Sequence, residues 1–304
     1  MRIACVGECM IELGQLSLDD GLAHIGFAGD TLNTAIYLSR LMPGQVSYVS
    51  NLGTDTFSDR MQAVFAAEGI DCSLIGQHPT RLPGIYAIET DPKGERSFRY
   101  WREASAARTL FSSVGASLDD LAGFDVIYLS GITLAILPPD IRAALIARLK
   151  SLRNMGHQVV FDSNYRPQLW SDAATARATF VAMWAACSLA LPSFDDEKRL
   201  YPDTAPGQVL DRIGVAEIAL KNGSIGPLIR SCGLDLQTKF AAATQVVDTT
   251  GAGDSFNAGY IAARLAGQSP HHAAAAGHDL ARCVIRHHGA ICPRDAMPGL
   301  AAYS

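Results

Sequence analysis

The sequence has no apolar run approaching the ~18 residues that a bilayer-spanning helix needs, and Glu8 and Glu12 interrupt the apolar stretch near its start. The expectation is a cytoplasmic protein with no membrane partner. CxxC pairs are also missing. The seven cysteines (Cys5, Cys9, Cys72, Cys187, Cys232, Cys283 and Cys292) are odd in number and scattered, the usage of a reducing compartment. The adjacent pairs His271-His272 and His287-His288 lack metal-ligand spacing, because neighbours on a helix point in different directions, which argues against zinc. Nor is there any excess of positive charge. A formal net charge of −5 argues against a general nucleic-acid binder, although it leaves room for a local basic pocket. Neither GxxxxGK[ST] nor GxGxxG occurs, so a P-loop, a dinucleotide fold and a nicotinamide oxidoreductase are unsupported.

What is present points to a packed α/β protein. Hydrophobic residues make up 48% of the 304 and charged ones 18%, so the chain can bury a sizeable core and disorder is not expected. Short apolar runs at 3–6, 46–49, 126–129, 159–161, 188–191 and 218–220 read as strands. Helical periodicity covers 31–41, 57–68, 139–155 and 174–186, then 254–265 and 271–286. Alternation of this kind predicts a mainly parallel sheet covered by helices on both faces. Two segments break the rhythm. Segment 11–27 follows the first strand without a helical pattern, and 85–90 and 96–101 flank the turn signal Asp91-Pro92-Lys93-Gly94, a hairpin signature. Segments 11–27 and 81–103 are therefore expected to form a small β-sheet lid inserted into a single domain of residues 1–304. No repeat or flexible linker divides the chain.

The strongest local signal is Asp248-Thr249-Thr250-Gly251-Ala252-Gly253-Asp254-Ser255-Phe256. Small residues leading into an amphipathic helix leave its first N–H groups unhindered, an anion site aided by the helix dipole. Asp254 beside that site reads either as a helix cap or as the base that takes a hydroxyl proton during phosphoryl transfer. Other polar residues follow predicted strands: Asp162, Asn164 and Arg166; Asp195 to Glu197; and Lys221-Asn222-Gly223-Ser224. In open α/β sheets ligands bind beyond the carboxyl ends of the strands, so three strands point toward one edge.

Over nearly its full length the chain resembles the ribokinase-like (PfkB) carbohydrate kinases. The residues that carry the resemblance are Gly26-Phe27-Ala28-Gly29-Asp30-Thr31-Leu32-Asn33-Thr34-Ala35 and the segment from Asp248 to Asp254. Val6 to Leu13, Arg81 to Gly84, Tyr100-Trp101-Arg102-Glu103-Ala104-Ser105-Ala106-Ala107 and Phe161-Asp162-Ser163-Asn164-Tyr165-Arg166-Pro167 resemble the members acting on 2-keto-3-deoxygluconate.

The resemblance implies a Rossmann-type core whose lid closes over the sugar and also makes a homo-oligomer contact. It implies that Gly29, Asp30, Asn33, Tyr86, Tyr100, Arg102 and Arg166 bind the substrate. Asn164, Lys221, Gly223, Ser224, Gly226, Gly251, Ala252, Gly253 and His278 would lie on the nucleotide, with Asp254, Gly251, Ala252 and Gly253 serving catalysis. ATP and Mg2+ are the expected cofactors, with Glu197 acting indirectly on the metal and Asp248 and Thr250 helping to place a monovalent cation. Phe194 stands where many members carry Asn.

Chemistry agrees with an acidic substrate. A guanidinium forks onto a carboxylate and keeps its charge, so Arg102 and Arg166 suit an aldonate-like acid. On an alternating strand Phe98, Tyr100 and Arg102 share one face, although Arg102 could equally be an exposed rim charge. The expected function is ATP-dependent phosphorylation of 2-keto-3-deoxy-D-gluconate. A fructokinase-like specificity and a sugar-acid sensor without turnover are the alternatives.

Overall fold

The computed structural model describes residues 1–17, 20–90, 96–112, 114–236 and 240–298. The apolar runs become strands buried on both faces, as parallel sheets require. In chain order the strands are β1 (Ile3–Val6), β2 (Met10–Ser17), β3 (Leu22–Ala28), β4 (Val46–Leu52), β5 (Ile75–Gln77), β6 (Gly84–Thr90), β7 (Arg96–Trp101), β8 (Val126–Ser130), β9 (Gln158–Asp162), β10 (Leu189–Ala190), β11 (Glu217–Leu220), β12 (Leu228–Ser231) and β13 (Leu234–Leu236). The helices are α1 (Asp30–Leu41), α2 (Thr56–Ala67), α3 (Gly131–Ile136), α4 (Pro139–Asn154), α5 (Ala173–Trp184), α6 (Phe194–Leu200), α7 (Pro206–Ile213), α8 (Ala252–Leu265) and α9 (Pro270–Val284).

Nine strands form the large sheet in the order β13-β12-β11-β10-β9-β8-β1-β4-β5. It is parallel from β11 to β5, and β12 and β13 add antiparallel to one edge. Side chains alternate between two cores. Ala4, Val6 and Phe161 face one with Leu145 and Phe180, whereas Ile3, Cys5 and Val160 face the other with Leu32, Phe65, Tyr260 and Leu280. Helices therefore cover both faces, and the crevice at the carboxyl ends of the strands is the open ground for a ligand.

The second sheet runs β3-β2-β6-β7, with β2 and β6 parallel and the outer pairs antiparallel. It comes from the two segments that broke the helical rhythm. The turn signal at 91–94 lies outside the described residues. The antiparallel edge formed by β12 and β13 departs from the expectation of simple strand-helix alternation; these strands are short and half-exposed and lack a strong apolar run. Among the described residues no helix is long and apolar enough to cross a membrane, and all seven cysteines are free.

Candidate active site

Helix starts in this protein differ in how they are capped. α2, α5 and α9 begin behind Asp55, Asp172 and Ser269, whose side chains accept from first-turn N–H groups. α1 and α8 instead begin behind Gly29 and Gly251 with no side-chain cap. A Cβ on Gly29 would lie 2.3 Å from the Glu8 carbonyl oxygen, and one on Gly251 would lie 2.6 Å from that of Ala290. Gly251 also has φ +76°, the left-handed region that favours glycine. Close backbone packing thus excludes capping side chains at these two starts. At α8 the Ala252 N–H bonds to the Thr249 carbonyl at 3.2 Å. The N–H groups of Gly253 and Asp254 lie in the first turn, without an acceptor within the helix, at the positive end of its dipole.

Asp254 is the third residue of α8 rather than its cap. Its Oδ2 accepts from Asn33 Nδ2 at 2.8 Å, which joins α8 to α1, and Thr34 Oγ1 donates to its backbone carbonyl. The other side of that amide, Asn33 Oδ1, is buried and has no partner among the described residues. Desolvation pushes the Asp254 pKa up to about 8; Asp30 and Asp162 add to the rise, while Asn33 and Lys221 oppose it. A carboxyl so tuned exchanges its proton near neutral pH.

Beneath this turn lies a saturated network. Lys221 Nζ donates to Asp162 Oδ2 (2.7 Å), the Leu191 carbonyl (2.6 Å) and Asn257 Oδ1 (2.8 Å), which uses all three of its donors. Asn257 Nδ2 donates to Asp162 and to the Tyr128 hydroxyl. A Cβ on Gly253 would stand 4.0 Å from Nζ, so the ammonium sits next to the first turn of α8. Expected on the nucleotide, Lys221 is here a pin between β9, β11 and α8 that also places positive charge at the site. Asp30 accepts from Asn164 Nδ2 at 2.5 Å, so the expected nucleotide residue Asn164 holds an expected sugar residue.

Arg166 donates to Asp196 Oδ1 at 3.2 Å and keeps a side chain 39% exposed, with donors in reserve. Burial raises the pKa of Asp196, a rise that Arg166 opposes. The neighbouring Glu197 turns to Arg212 on α7 at 2.9 Å, so of the two acids Asp196 is the one beside Arg166.

The small sheet brings its own side chains. Tyr86 and Tyr100 face each other across β6 and β7 with ring centroids 5.8 Å apart, and Phe98 stacks on Tyr100. Tyr86 donates its hydroxyl to Glu12 on β2. Burial raises the Tyr100 pKa, with the positive charges of Arg102 and Arg166 opposing, and the Arg102 guanidinium carbon lies 5.7 Å from the Tyr100 ring centroid. Arg102 is not a rim charge. It is 5% exposed and pairs with the buried Glu8 carboxylate, which also accepts from Ser105 Oγ at 2.5 Å. Arg102 Nε has no partner among the described residues.

Gly223, Ser224 and Gly226 form the loop after β11. A Cβ on Gly226 would strike Phe240, whose ring lies 5.0 Å from His278; the His278 Nε2 pairs with the Ala241 carbonyl. Asp248 accepts from Thr250 N–H and Oγ1 and from the Gly289 N–H, which fixes the loop that leads into α8. Glu8, Asn257 and Phe240 were not singled out from sequence. Asn257, three residues after Asp254 on one helix face, carried the most legible signal.

Residues 1–297 match the pfkB family carbohydrate kinase. The chain is 45% identical to a 2-dehydro-3-deoxygluconokinase of Dickeya dadantii (strain 3937), over 98% of each chain. A solved Vibrio cholerae O395 fructokinase variant with fructose, ADP and potassium ion bound has a TM-score of 0.82 at 21% identity, covering 99% of this chain and 96% of that one. For an Escherichia coli putative ribokinase II in complex with ATP and Mg2+ the values are 0.81 and 20%, covering 99% and 97%. The family match takes in both sheets and every helix named above, so the chain belongs to the pfkB family of carbohydrate kinases.

Proposed function

We propose that this chain moves the γ-phosphate of ATP onto the 6-hydroxyl of 2-keto-3-deoxy-D-gluconate. The observation that carries the chemistry is Asp254, held by Asn33 at the start of a helix whose first N–H groups are open. In this reading Asp254 orients the attacking hydroxyl and takes its proton, while the Gly253 and Asp254 N–H groups stabilise charge on the transferred group. Lys221 strengthens that field from beneath. Magnesium, when bound with the nucleotide, would supply positive charge to offset that of the phosphates. Among the described residues no three acids, histidines or cysteines are gathered for a metal, which suits an ion held largely by phosphates and water. The loop of Gly223, Ser224 and Gly226, with Phe240 and His278, would receive the nucleotide, and the Asp248–Thr250 loop is assigned the monovalent cation.

The identity of the Dickeya dadantii relative supports the substrate, as does Arg166 with its reserve donors. The small sheet acts as the lid in this reading, bringing Tyr86 and Tyr100 onto the sugar and excluding water. Its exposed Ile25 and Trp101, on the face opposite Tyr86 and Tyr100, would form the contact in a homo-oligomer. One observation favours the fructokinase-like alternative: Glu8 already opposes the charge of Arg102. A coupled ADP-release assay with ATP and magnesium, comparing 2-keto-3-deoxygluconate with fructose, ribose and gluconate, decides between them. Turnover confined to the keto-deoxy acid is the expected result; preference for fructose would discard the substrate and keep the kinase. ATP binding without turnover on any of them would leave a sensor.

A further inference from the structure

A cavity of about 750 Å³, separate from the residues around Asp254, opens between the β7–β8 connection, the start of α4 and the segment before α5. Its polar lining consists mostly of hydrogen-bond donors. Arg81, Arg108 and Arg142 face it against one carboxylate, Glu103, a net of two positive charges. Among the described residues neither Arg81 nor Arg108 has a side-chain hydrogen bond or ion pair. Arg142 is anchored by the Leu134 and Leu137 carbonyls and lies over the Trp170 ring, its centroid 4.9 Å away. Burial and the neighbouring Arg108 both lower the Arg142 pKa, the sign of cations gathered without a counter-charge. Trp170 lines the same cavity and is 7% exposed, and its indole N–H, which can only donate, is buried without an acceptor among the described residues. His78 Nδ1 accepts from the N–H groups of Thr80 and Arg81, so in the neutral ring the other nitrogen carries the proton and is a further donor.

Cations and N–H donors around one roomy cavity call for a compact anion with many acceptors. We propose that this cavity is a second ligand site, for a small phosphate-bearing metabolite bound through its phosphoryl dianion. Guanidiniums fork onto phosphate oxygens, and a tetrahedral oxyanion accepts from several directions at once, which a single planar carboxylate does not. Glu103 follows Arg102 directly, and Trp170 lies four residues after Arg166. The site therefore borders both segments that carry the sugar-facing arginines.

The test is isothermal titration of inorganic phosphate into the full-length protein, with and without a saturating non-hydrolysable ATP analogue and magnesium to block the Asp254 site. Saturation by one phosphate per chain, unaffected by the analogue, is expected. Arg108→Ala should weaken it roughly tenfold or more, as the loss of a charged hydrogen-bonding group does, with the thermal unfolding midpoint unchanged. Arg81→Ala provides the same readout should Arg108→Ala fail to fold. Binding that never saturates (an adventitious ion only), binding abolished by the analogue, or binding indifferent to both substitutions would overturn the proposal. Citrate binding where phosphate does not would overturn the phosphoryl assignment.

Discussion

Lys221 and Arg102 are both cations held against carboxylates, yet the two regions that hold them differ. At the edge of the large sheet Lys221 bonds to Asp162, Leu191 and Asn257, so three elements converge on one ammonium with no donor left over. In the small sheet Arg102 meets Glu8 while its Nε is buried without a partner among the described residues, and the neighbouring Tyr100 is 41% exposed. A saturated network has one arrangement and suits chemistry, where the base and the first-turn N–H groups must not move. A network with donors in reserve can accept a ligand. Under the proposed function the first region carries the reaction and the second the recognition.

The sharpest way to break this division is Asp254→Asn, which should lower kcat by roughly 10²–10⁴ with KM little changed. The same variant has a stability signature. Because the Asp254 pKa is raised from the ordinary value of about 3.9 to about 8, the fold binds that proton more tightly than the unfolded chain does. This contribution is fully present below pH ~4 and is lost as pH climbs toward 8. The Asn variant should lack that slope, so its melting point should gain on the wild type between pH 5 and pH 8, as calorimetry would show.

Lys221→Met and Arg102→Ala each leave a buried carboxylate without its cation and should cost about 3–5 kcal/mol of stability in denaturant titrations. Glu8→Gln combined with Arg102→Ala should recover much of the second loss, and the double variant then reports on sugar binding alone. A double variant as unstable as Arg102→Ala would show that Glu8 is not the partner that matters.

Arg166→Ala should raise KM for the keto-deoxy acid about 10–100-fold, in line with the worth of a charged hydrogen bond, with kcat nearly kept. Lysine should restore little of it if the guanidinium fork is what binds. The smallest effect is expected from Tyr100→Phe, a few-fold in KM for one neutral hydrogen bond on an exposed ring. A large fall in kcat from either variant would move these residues into the chemistry and erase the contrast.

Much of this was legible in the sequence, for physical reasons. Strands buried on both faces must be continuous apolar runs, so β1, β4, β8 and β9 stood out. The Gly251-Ala252-Gly253-Asp254 segment was legible as a helix start carrying an acid because its glycine start and its acid are adjacent in the chain. The antiparallel β12 and β13 escaped because short half-exposed strands carry little hydrophobic signal. Glu8 escaped because its partner lies 94 residues away. Asp196 and Glu197 are both acids on α6, and neighbours on a helix point about 100° apart, so only the packing of α6 decides which one faces Arg166 and which faces Arg212.

The most direct measurement of the central claim is kcat/KM for 2-keto-3-deoxygluconate against pH, in the wild type and in Asp254→Asn. That ratio reports ionisation in the free enzyme. With Asp254 as the base, the wild-type value should fall about tenfold per pH unit below an inflection near 8, and the variant should be slow and flat over the same range. The same acid limb in both proteins, or near-normal turnover by the variant, would contradict the account.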